Sequence, residues 1–273
     1  LSPKGKLIGD FTVSCIREGL FQLTASYGSQ AYHQRWFEQN TAPGVTLQNI
    51  SDQRTGFQIA GPQAAEVLQA CTTANVADIK FLGVMELVVG STGCLVQQVS
   101  YTGDHGFEIY CDPMAQRALW DTLWEAGKPH GITPFGMRAM MSLRLDRFFG
   151  SWLSEFSPDY TAAETGLDRF IRFGKNVDFI GRSAAEAERL TPPERQLVIF
   201  EVEARDADVV AYEPVFINGT VQGFCTSGGY SHHTEKSIAF ALVPRTTVTD
   251  DLRVEIEILG QLRPAKRLLE PLL

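Results

Sequence analysis

The sequence contains no long apolar run, no closely spaced cysteine pair and no glycine-rich dinucleotide fingerprint. No apolar stretch approaches the roughly 20 residues that span a membrane, and the first residues do not resemble a signal peptide. The five cysteines are scattered without a C-x-x-C spacing, which argues against a disulfide framework and against a zinc site. Because the G-x-G-x-x-G pattern is missing, we expect no flavin on this chain.

Basic residues are also in short supply. The chain has 24 lysines and arginines against 32 aspartates and glutamates, which gives a net charge of −8. This balance argues against nucleic acid, or an anionic membrane surface, as the main partner. Scattered cysteines in an odd number are typical of a reducing compartment, so we expect the cytoplasm, or the mitochondrial matrix if the source is a eukaryote.

The composition and patterns that are present predict an α+β protein of several domains. A chain of 273 residues with 44% hydrophobic content can bury more than one core. From Leu197 onward, short strands separated by turns such as Asn218-Gly219 indicate a small barrel or sandwich. We therefore predict an α+β domain over 1–75, a second α+β domain over 76–190, and a C-terminal β-barrel over 191–273.

Several elements can be placed from periodicity alone. A hairpin is predicted from strands over 7–13 and 20–25, which puts Asp10 inside a strand. Strands are also predicted over 45–50 and 56–60. Amphipathic spacing predicts a helix after Asp112-Pro113, and its buried stripe is formed by Leu119, Trp120, Leu123 and Trp124.

The stretch from Ser100 to Tyr110 predicts a tight turn followed by a strand. Glycines at 103 and 106 suit the turn. In the strand, Phe107 and Ile109 would face the core, so Glu108 and Tyr110 would share the other face. An alternating strand commonly places such a carboxylate towards solvent. If this face lines a cavity instead, Glu108 is a fixed acceptor beside Tyr101.

A helix over 135–147 carries a second candidate site residue, Arg138, between Met137 and a run of apolar residues. An arginine in such surroundings is expected to be partly buried and to need an anion. Two interpretations are compatible with the pattern. Arg138 forms an internal salt bridge, for which Glu108 is a candidate, or it holds a ligand.

Residues 101–109 resemble the Tyr-Thr-Gly-Glu-x-Gly-Phe-Glu-Ile signature of the aminomethyltransferase family, which includes the T-protein of the glycine cleavage system. Asp104 stands where the family usually has glutamate. Further stretches resemble family landmarks in the family order: 1–13, 61–68, 136–146, 159–167 and 175–182. The run 226–239 is similar to the branch fused to dimethylglycine and sarcosine dehydrogenases.

The resemblance implies a set of roles that are expectations here. Tyr101, Glu108 and Arg138 would contact tetrahydrofolate, and Asp10 would be the catalytic carboxylate. The expected reaction is one-carbon transfer from an N-methyl or aminomethyl donor to tetrahydrofolate, with no metal. A flavin-dependent dehydrogenase domain or subunit would be a partner. The family carries a substantial segment before the aspartate-bearing stretch, so we expect that an N-terminal segment is absent from this sequence.

Three alternatives stay open at this point. The donor could be a sulfonium or methoxy compound, which would yield 5-methyl- rather than 5,10-methylenetetrahydrofolate. The chain could be a non-catalytic folate-binding module like the iron–sulfur maintenance relatives, although their cysteine-bearing signature is missing from 175–182. It could also be a structural domain of a larger dehydrogenase.

Overall fold

The computed structural model describes residues 1–247 and 253–273, which form two compact units. Residues 11–140 make up one, called here the sheet unit. Residues 1–10 and 141–273 make up the other, called the barrel unit. The division falls within one helix of the chain. The predicted three-domain division with boundaries near 75 and 190 stays a prediction.

The sheet unit contains a hairpin, a four-stranded antiparallel sheet and three helices. Its elements are β1 Thr12–Arg17, β2 Leu20–Thr24, α1 Gln30–Asn40, β3 Thr55–Ala60, α2 Ala64–Ala70, β4 Val84–Val89, β5 Thr92–Gln97, β6 Gly106–Cys111 and α3 Gln116–Gly127, followed by the first residues of α4 Met137–Asp146. Strands β1 and β2 pair with each other, and the larger sheet has the order β3-β6-β5-β4.

One face of the larger sheet forms the core of this unit with α2 and α3. Phe107 and Ile109 of β6 are almost fully buried, as their alternation predicted, and they pack with Leu68, Leu119 and Leu123 from the helices. Burial of such side chains contributes on the order of 1.5–3 kcal/mol each. Because successive strand residues point to opposite faces, this packing turns Glu108 and Tyr110 away from the core.

The barrel unit is built around six antiparallel strands that close on themselves. After α4 its elements are α5 Ala162–Thr165, α6 Arg182–Leu190, β7 Arg195–Val202, β8 Pro214–Ile217, β9 Thr220–Ser231, β10 Lys236–Pro244, β11 Val254–Ile258 and β12 Gln261–Leu268. The strand order around the barrel is β10-β7-β12-β11-β8-β9. Alternate residues of β7, including Val198, Phe200 and Val202, fill the interior, and closure gives each of the six described strands two neighbours.

The sequence-based hairpin is present, but its first strand begins later than predicted. Strand β1 starts at Thr12, so the placement of Asp10 inside a strand was wrong. The residues before β1 pair with a different segment of the chain. Lys6 forms an isolated bridge with Thr161, and the Leu7 amide donates to the Tyr160 carbonyl at 2.9 Å. Leu7 and Ile8 are both buried, which breaks the alternation that a half-buried strand needs.

Two other sequence-based expectations for the sheet unit need correction. Residues 45–50 do not form a strand; Val45 and Leu47 are exposed, and an alternating run is no strand without a neighbour to pair with. On α3, Leu119 and Leu123 are buried as predicted, whereas Trp120 is 39% exposed and stacks on Trp124 at the surface side of the stripe. Among the described residues, no helix has the length and apolar character to cross a membrane.

Candidate functional site

The candidate site in the sheet unit begins at the turn between β5 and β6. Gly103 adopts a φ of +79°, which a side-chain-bearing residue rarely takes, and its amide donates to the Ser100 carbonyl at 3.2 Å. The Ser100 hydroxyl lies 2.8 Å from that of Thr102 and receives the Gln58 amide at 2.9 Å. These bonds connect the turn to β3, and half-buried Tyr101 lies within this turn, between Ser100 and Thr102.

Glu108 is half-buried in the middle of β6, where it accepts two hydrogen bonds on a single oxygen. The Gln97 amide donates to Glu108 Oε2 at 2.8 Å, and the Tyr110 hydroxyl donates to the same oxygen. Glu108 Oε1 accepts no hydrogen bond from the described residues. Because a carboxylate oxygen can accept two bonds, Oε2 is fully engaged and Oε1 is free to receive a donor from outside the chain.

Tyr110 is a permanent donor in this arrangement. Burial, and then the neighbouring charge of Glu108 and the hydrogen bond to it, raise the pKa of Tyr110 far above its ordinary value, while Thr24 acts weakly in the other direction. The phenol is therefore protonated at neutral pH and donates to Glu108. Sequence reasoning placed Tyr110 on the same face as Glu108, but it did not identify the contact.

Gln97 was missed because its pairing partner is set by the register of the sheet. Residue 97 of β5 lies directly opposite residue 108 of β6, and no local pattern in the sequence announces this. Its side chain is buried, and its Oε1 accepts the Ser14 hydroxyl of β1 at 2.7 Å. Hairpin and sheet therefore share one hydrogen-bond chain, which runs from Ser14 through Gln97 to Glu108.

Arg138 does not behave as the sequence predicted. It lies in the first turn of α4, its side chain is exposed, and it forms no ion pair with the described residues. The salt bridge to Glu108 that was considered is not formed, since Glu108 is held by Gln97 and Tyr110. The buried arginine of this helix is Arg144, which is 1% exposed and pairs with Glu155 at 3.1 Å in the barrel unit. The expected contact of Arg138 with a ligand stays a prediction.

Asp10 is the last residue of the first barrel-unit segment and has an exposed carboxylate. It accepts no hydrogen bond from the described residues. The protein atoms around it nevertheless desolvate the charged form and raise the pKa of Asp10 above its ordinary value. A carboxylate without a donor and with a raised pKa is a better proton acceptor than a salt-bridged one.

The five cysteines form no disulfide in the part of the chain that is described. All five are unpaired thiols. Burial raises the pKa of Cys94 to about 11 and that of Cys225 to about 12, so both remain protonated and poorly nucleophilic at neutral pH. Within residues 1–247 and 253–273, no group of histidine, cysteine, aspartate and glutamate side chains is arranged to hold a metal ion.

Two family models together match nearly the whole chain. The model of the GCVT N-terminal domain matches residues 1–175, and that of the glycine cleavage T-protein C-terminal barrel domain matches residues 195–273. The second match coincides with the closed barrel formed by β7 to β12.

Similar curated proteins carry two different names. The chain is 37% identical over 277 residues to mitochondrial dimethylglycine dehydrogenase of Homo sapiens, covering 100% of this chain and 32% of that protein. It is 31% identical over 268 residues to an aminomethyltransferase of Geobacillus sp. (strain WCH70), covering 98% of this chain and 73% of that protein. The chain thus spans about a third of the first relative and about three quarters of the second.

A solved structure shares the fold. The glycine cleavage system aminomethyltransferase T from Bartonella henselae superimposes with a TM-score of 0.87, at 23% sequence identity, covering 100% of this chain and 74% of that one. The α+β fold with a C-terminal barrel that the sequence predicted is therefore confirmed.

Proposed function

Because this chain belongs to the glycine cleavage T-protein family of aminomethyltransferases, we propose that it transfers a one-carbon unit at the formaldehyde level to tetrahydrofolate. The observation that carries the proposal is the free Oε1 of Glu108, an anionic acceptor held on a rigid strand. A pterin presents N–H groups along its aminopyrimidine edge, and an anionic oxygen is a strong acceptor for such donors. The residues present therefore fit the ligand.

Tetrahydrofolate supplies the nucleophilic nitrogen when it is bound. Glu108 Oε1 accepts an N–H of the aminopyrimidine edge, and Tyr101 stacks on or hydrogen-bonds to the ring. Arg138, which has no ion pair among the described residues, contributes a cationic contact to the ligand. Asp10 accepts the proton that the nitrogen loses as the new C–N bond forms, and its charge stabilises a cationic donor.

The relatives suggest the source of the carbon. One of them is named a dimethylglycine dehydrogenase, and the chain matches only a third of its length. We propose that a flavin-dependent dehydrogenase, as a further domain or subunit, oxidises an N-methyl amine to the iminium whose methylene carbon is transferred. The free amine and 5,10-methylenetetrahydrofolate are then the products. A methyl donor of the sulfonium or methoxy type would give 5-methyltetrahydrofolate instead, so product analysis separates the two.

Calorimetric titration of the 273-residue chain with tetrahydrofolate tests the proposal. We expect binding that Glu108→Ala weakens at least tenfold. Glu86→Ala is the matched control, because Glu86 is an exposed glutamate on β4 of the same sheet. Asp10→Asn should keep binding and lose transfer. A folded chain that does not bind tetrahydrofolate, or an Asp10→Asn variant with full transfer activity, would refute the assignment.

A further inference from the structure

A row of polar side chains crosses the larger sheet on the face opposite its core. Gln58 of β3 is paired with Glu108 of β6, and Glu108 is paired in turn with Gln97 of β5. Gln58 is directed to the turn, where it donates to the Ser100 hydroxyl. Gln97 is directed to the carboxylate. The two neighbours of Glu108 therefore have separate tasks.

The amide of Gln97 can adopt only one orientation in this network. Its Oε1 accepts the Ser14 hydroxyl at 2.7 Å, so its Nε2 must face Glu108, where it donates at 2.8 Å. Rotating the amide by half a turn would place Gln97 Oε1 against Glu108 Oε2, and both atoms are acceptors. It would also leave the Ser14 hydroxyl without its acceptor. Because Gln97 is 3% exposed, water cannot easily replace the lost partners.

The ring of Tyr110 occupies a place that the sheet leaves open for it. Tyr110 is paired with Gly56 of β3. A Cβ added at Gly56 would come within 2.9 Å of a Tyr110 ring carbon and 3.3 Å of the Ile109 carbonyl oxygen. Real Cβ atoms almost never make so close a contact. The glycine therefore allows the ring to lie across β3 and the phenol to reach Glu108.

Both donors bind Oε2 of Glu108, and this fixes the orientation of the carboxylate towards a ligand. Rotating the carboxylate so that its two oxygens change places would leave the free energy unchanged only if both donors moved with it. The donors belong to β5 and β6, and the sheet holds both in place. Such an exchange would break both hydrogen bonds to the carboxylate. The carboxylate is thus fixed with Oε2 satisfied and with Oε1 lacking a donor among the described residues.

We propose that Tyr110 and Gln97 are positioning residues that reserve Oε1 of Glu108 as a single-oxygen acceptor for the ligand. The inference rests on the proposed function and refines it. A bidentate pair between Glu108 and the aminopyrimidine edge would need both oxygens. The geometry leaves one, so the ligand class is a planar heterocycle whose exocyclic amine meets Oε1 alone.

The decisive experiment compares two ligands on two tyrosine variants. Tetrahydrofolate and an analogue lacking the exocyclic 2-amino group are titrated into the wild-type chain, Tyr110→Phe and Tyr27→Phe. Tyr27 is the control because it is exposed, and its hydroxyl donates to Asp52 at 3.0 Å elsewhere in the same unit. We expect Tyr110→Phe to weaken tetrahydrofolate binding about tenfold, equivalent to 1.4 kcal/mol, and to leave binding of the analogue within twofold. The ratio of the two dissociation constants, which measures the preference for the ligand with the amino group, then falls by the same factor.

A purely structural role of Tyr110 makes a different prediction, namely equal weakening of both ligands. That result, or no change in either, would overturn the proposal. Gly56→Ala gives a second approach, because it displaces the ring while keeping the hydroxyl. It should reduce the preference in the same direction as Tyr110→Phe.

A ligand-free crystal structure of Tyr110→Phe keeps the two proposals separable. If the wild-type chain binds no tetrahydrofolate, the proposed function fails, and the variant structure still decides the positioning role. A Glu108 carboxylate that turns or adopts several orientations supports the role of Tyr110. A carboxylate that stays in its wild-type orientation contradicts it.

Discussion

Glu155 of the barrel unit and Glu108 of the sheet unit are two carboxylates with opposite degrees of satisfaction. Glu155 is fully buried and accepts four hydrogen bonds, two on each oxygen. Arg144 and the Ser151 amide donate to Oε2 at 3.1 and 2.8 Å, and the hydroxyls of Thr226 and Ser227 donate to Oε1 at 2.6 Å each. Glu108 is half-buried and uses one oxygen.

The number of filled acceptor sites distinguishes a carboxylate that stabilises the fold from one that can bind a ligand. A buried charge must have all its acceptor sites filled, because each unfilled site costs desolvation free energy. Glu155 meets this condition, and its partner Arg144 also donates to the Phe149 carbonyl at 2.8 Å and lies over the Phe240 ring. Glu108 keeps one site open, which is tolerable because water reaches it when no ligand is bound.

The largest predicted effect is on stability, and it comes from removing Glu155, the carboxylate whose two oxygens each accept two hydrogen bonds. Glu155→Ala leaves Arg144 buried without its anion, so we expect a loss of about 3–5 kcal/mol in the free energy of unfolding, measured by urea denaturation. Glu108→Ala should cost less in the same assay, about 1–3 kcal/mol, because it leaves the Gln97 amide and the Tyr110 hydroxyl without their acceptor, and it should weaken ligand binding at least tenfold. Equal losses of stability in the two variants would mean that saturation does not distinguish their roles.

How far the sequence could predict these sites depends on whether a pattern is local. The β6 strand was predictable because Phe107 and Ile109 alternate with polar residues, and the barrel was predictable from short strands and turns. Family motifs pointed to Tyr101 and Glu108. The hydrogen bond from Gln97 to Glu108 was not predictable, since it depends on cross-strand register, and neither was the ring of Tyr110 over Gly56.

Helix α4 shows the same limit for buried charge. The apolar neighbours of Arg138 suggested burial, yet Arg138 is exposed and Arg144, six positions later, is the buried arginine. Sequence neighbours surround a helical residue on every side, whereas burial depends on which face meets the core. The anion that accompanies Arg144 comes from residue 155, beyond the end of the helix, so no helical spacing could reveal it.

Asp10 extends the comparison to a carboxyl group that accepts no hydrogen bond from residues 1–247 or 253–273. Its raised pKa means that the folded state favours the protonated form, so ionised Asp10 costs stability above that pKa and the cost disappears as the pH falls through it. We expect Asp10→Asn to raise the melting temperature slightly at pH 7 and to leave it unchanged at a pH below both pKa values.

The same substitution should affect the reaction in the opposite direction. If ionised Asp10 takes up the proton, kcat/KM of the wild-type chain falls as the pH decreases through a pKa above the ordinary aspartate value of about 3.9. Asp10→Asn should lower kcat and remove this acidic limb. An acidic limb that persists in the variant would assign the titration to another group.

The smallest predicted effect on stability comes from an exposed glutamate in an ion pair. It separates the contribution of ion pairing from that of burial. Glu186 on α6 accepts from Arg182 Nε at 2.8 Å, but its side chain is 47% exposed. Arg182 keeps other acceptors when this glutamate is removed, among them the Phe173 carbonyl at 2.9 Å. Since an exposed i,i+4 pair contributes about 0.3–0.5 kcal/mol and alanine favours the helix, we expect Glu186→Ala to change the free energy of unfolding by less than about 0.5 kcal/mol. A loss close to that of Glu155→Ala would show that the ion pair itself, rather than its burial, makes a carboxylate structural.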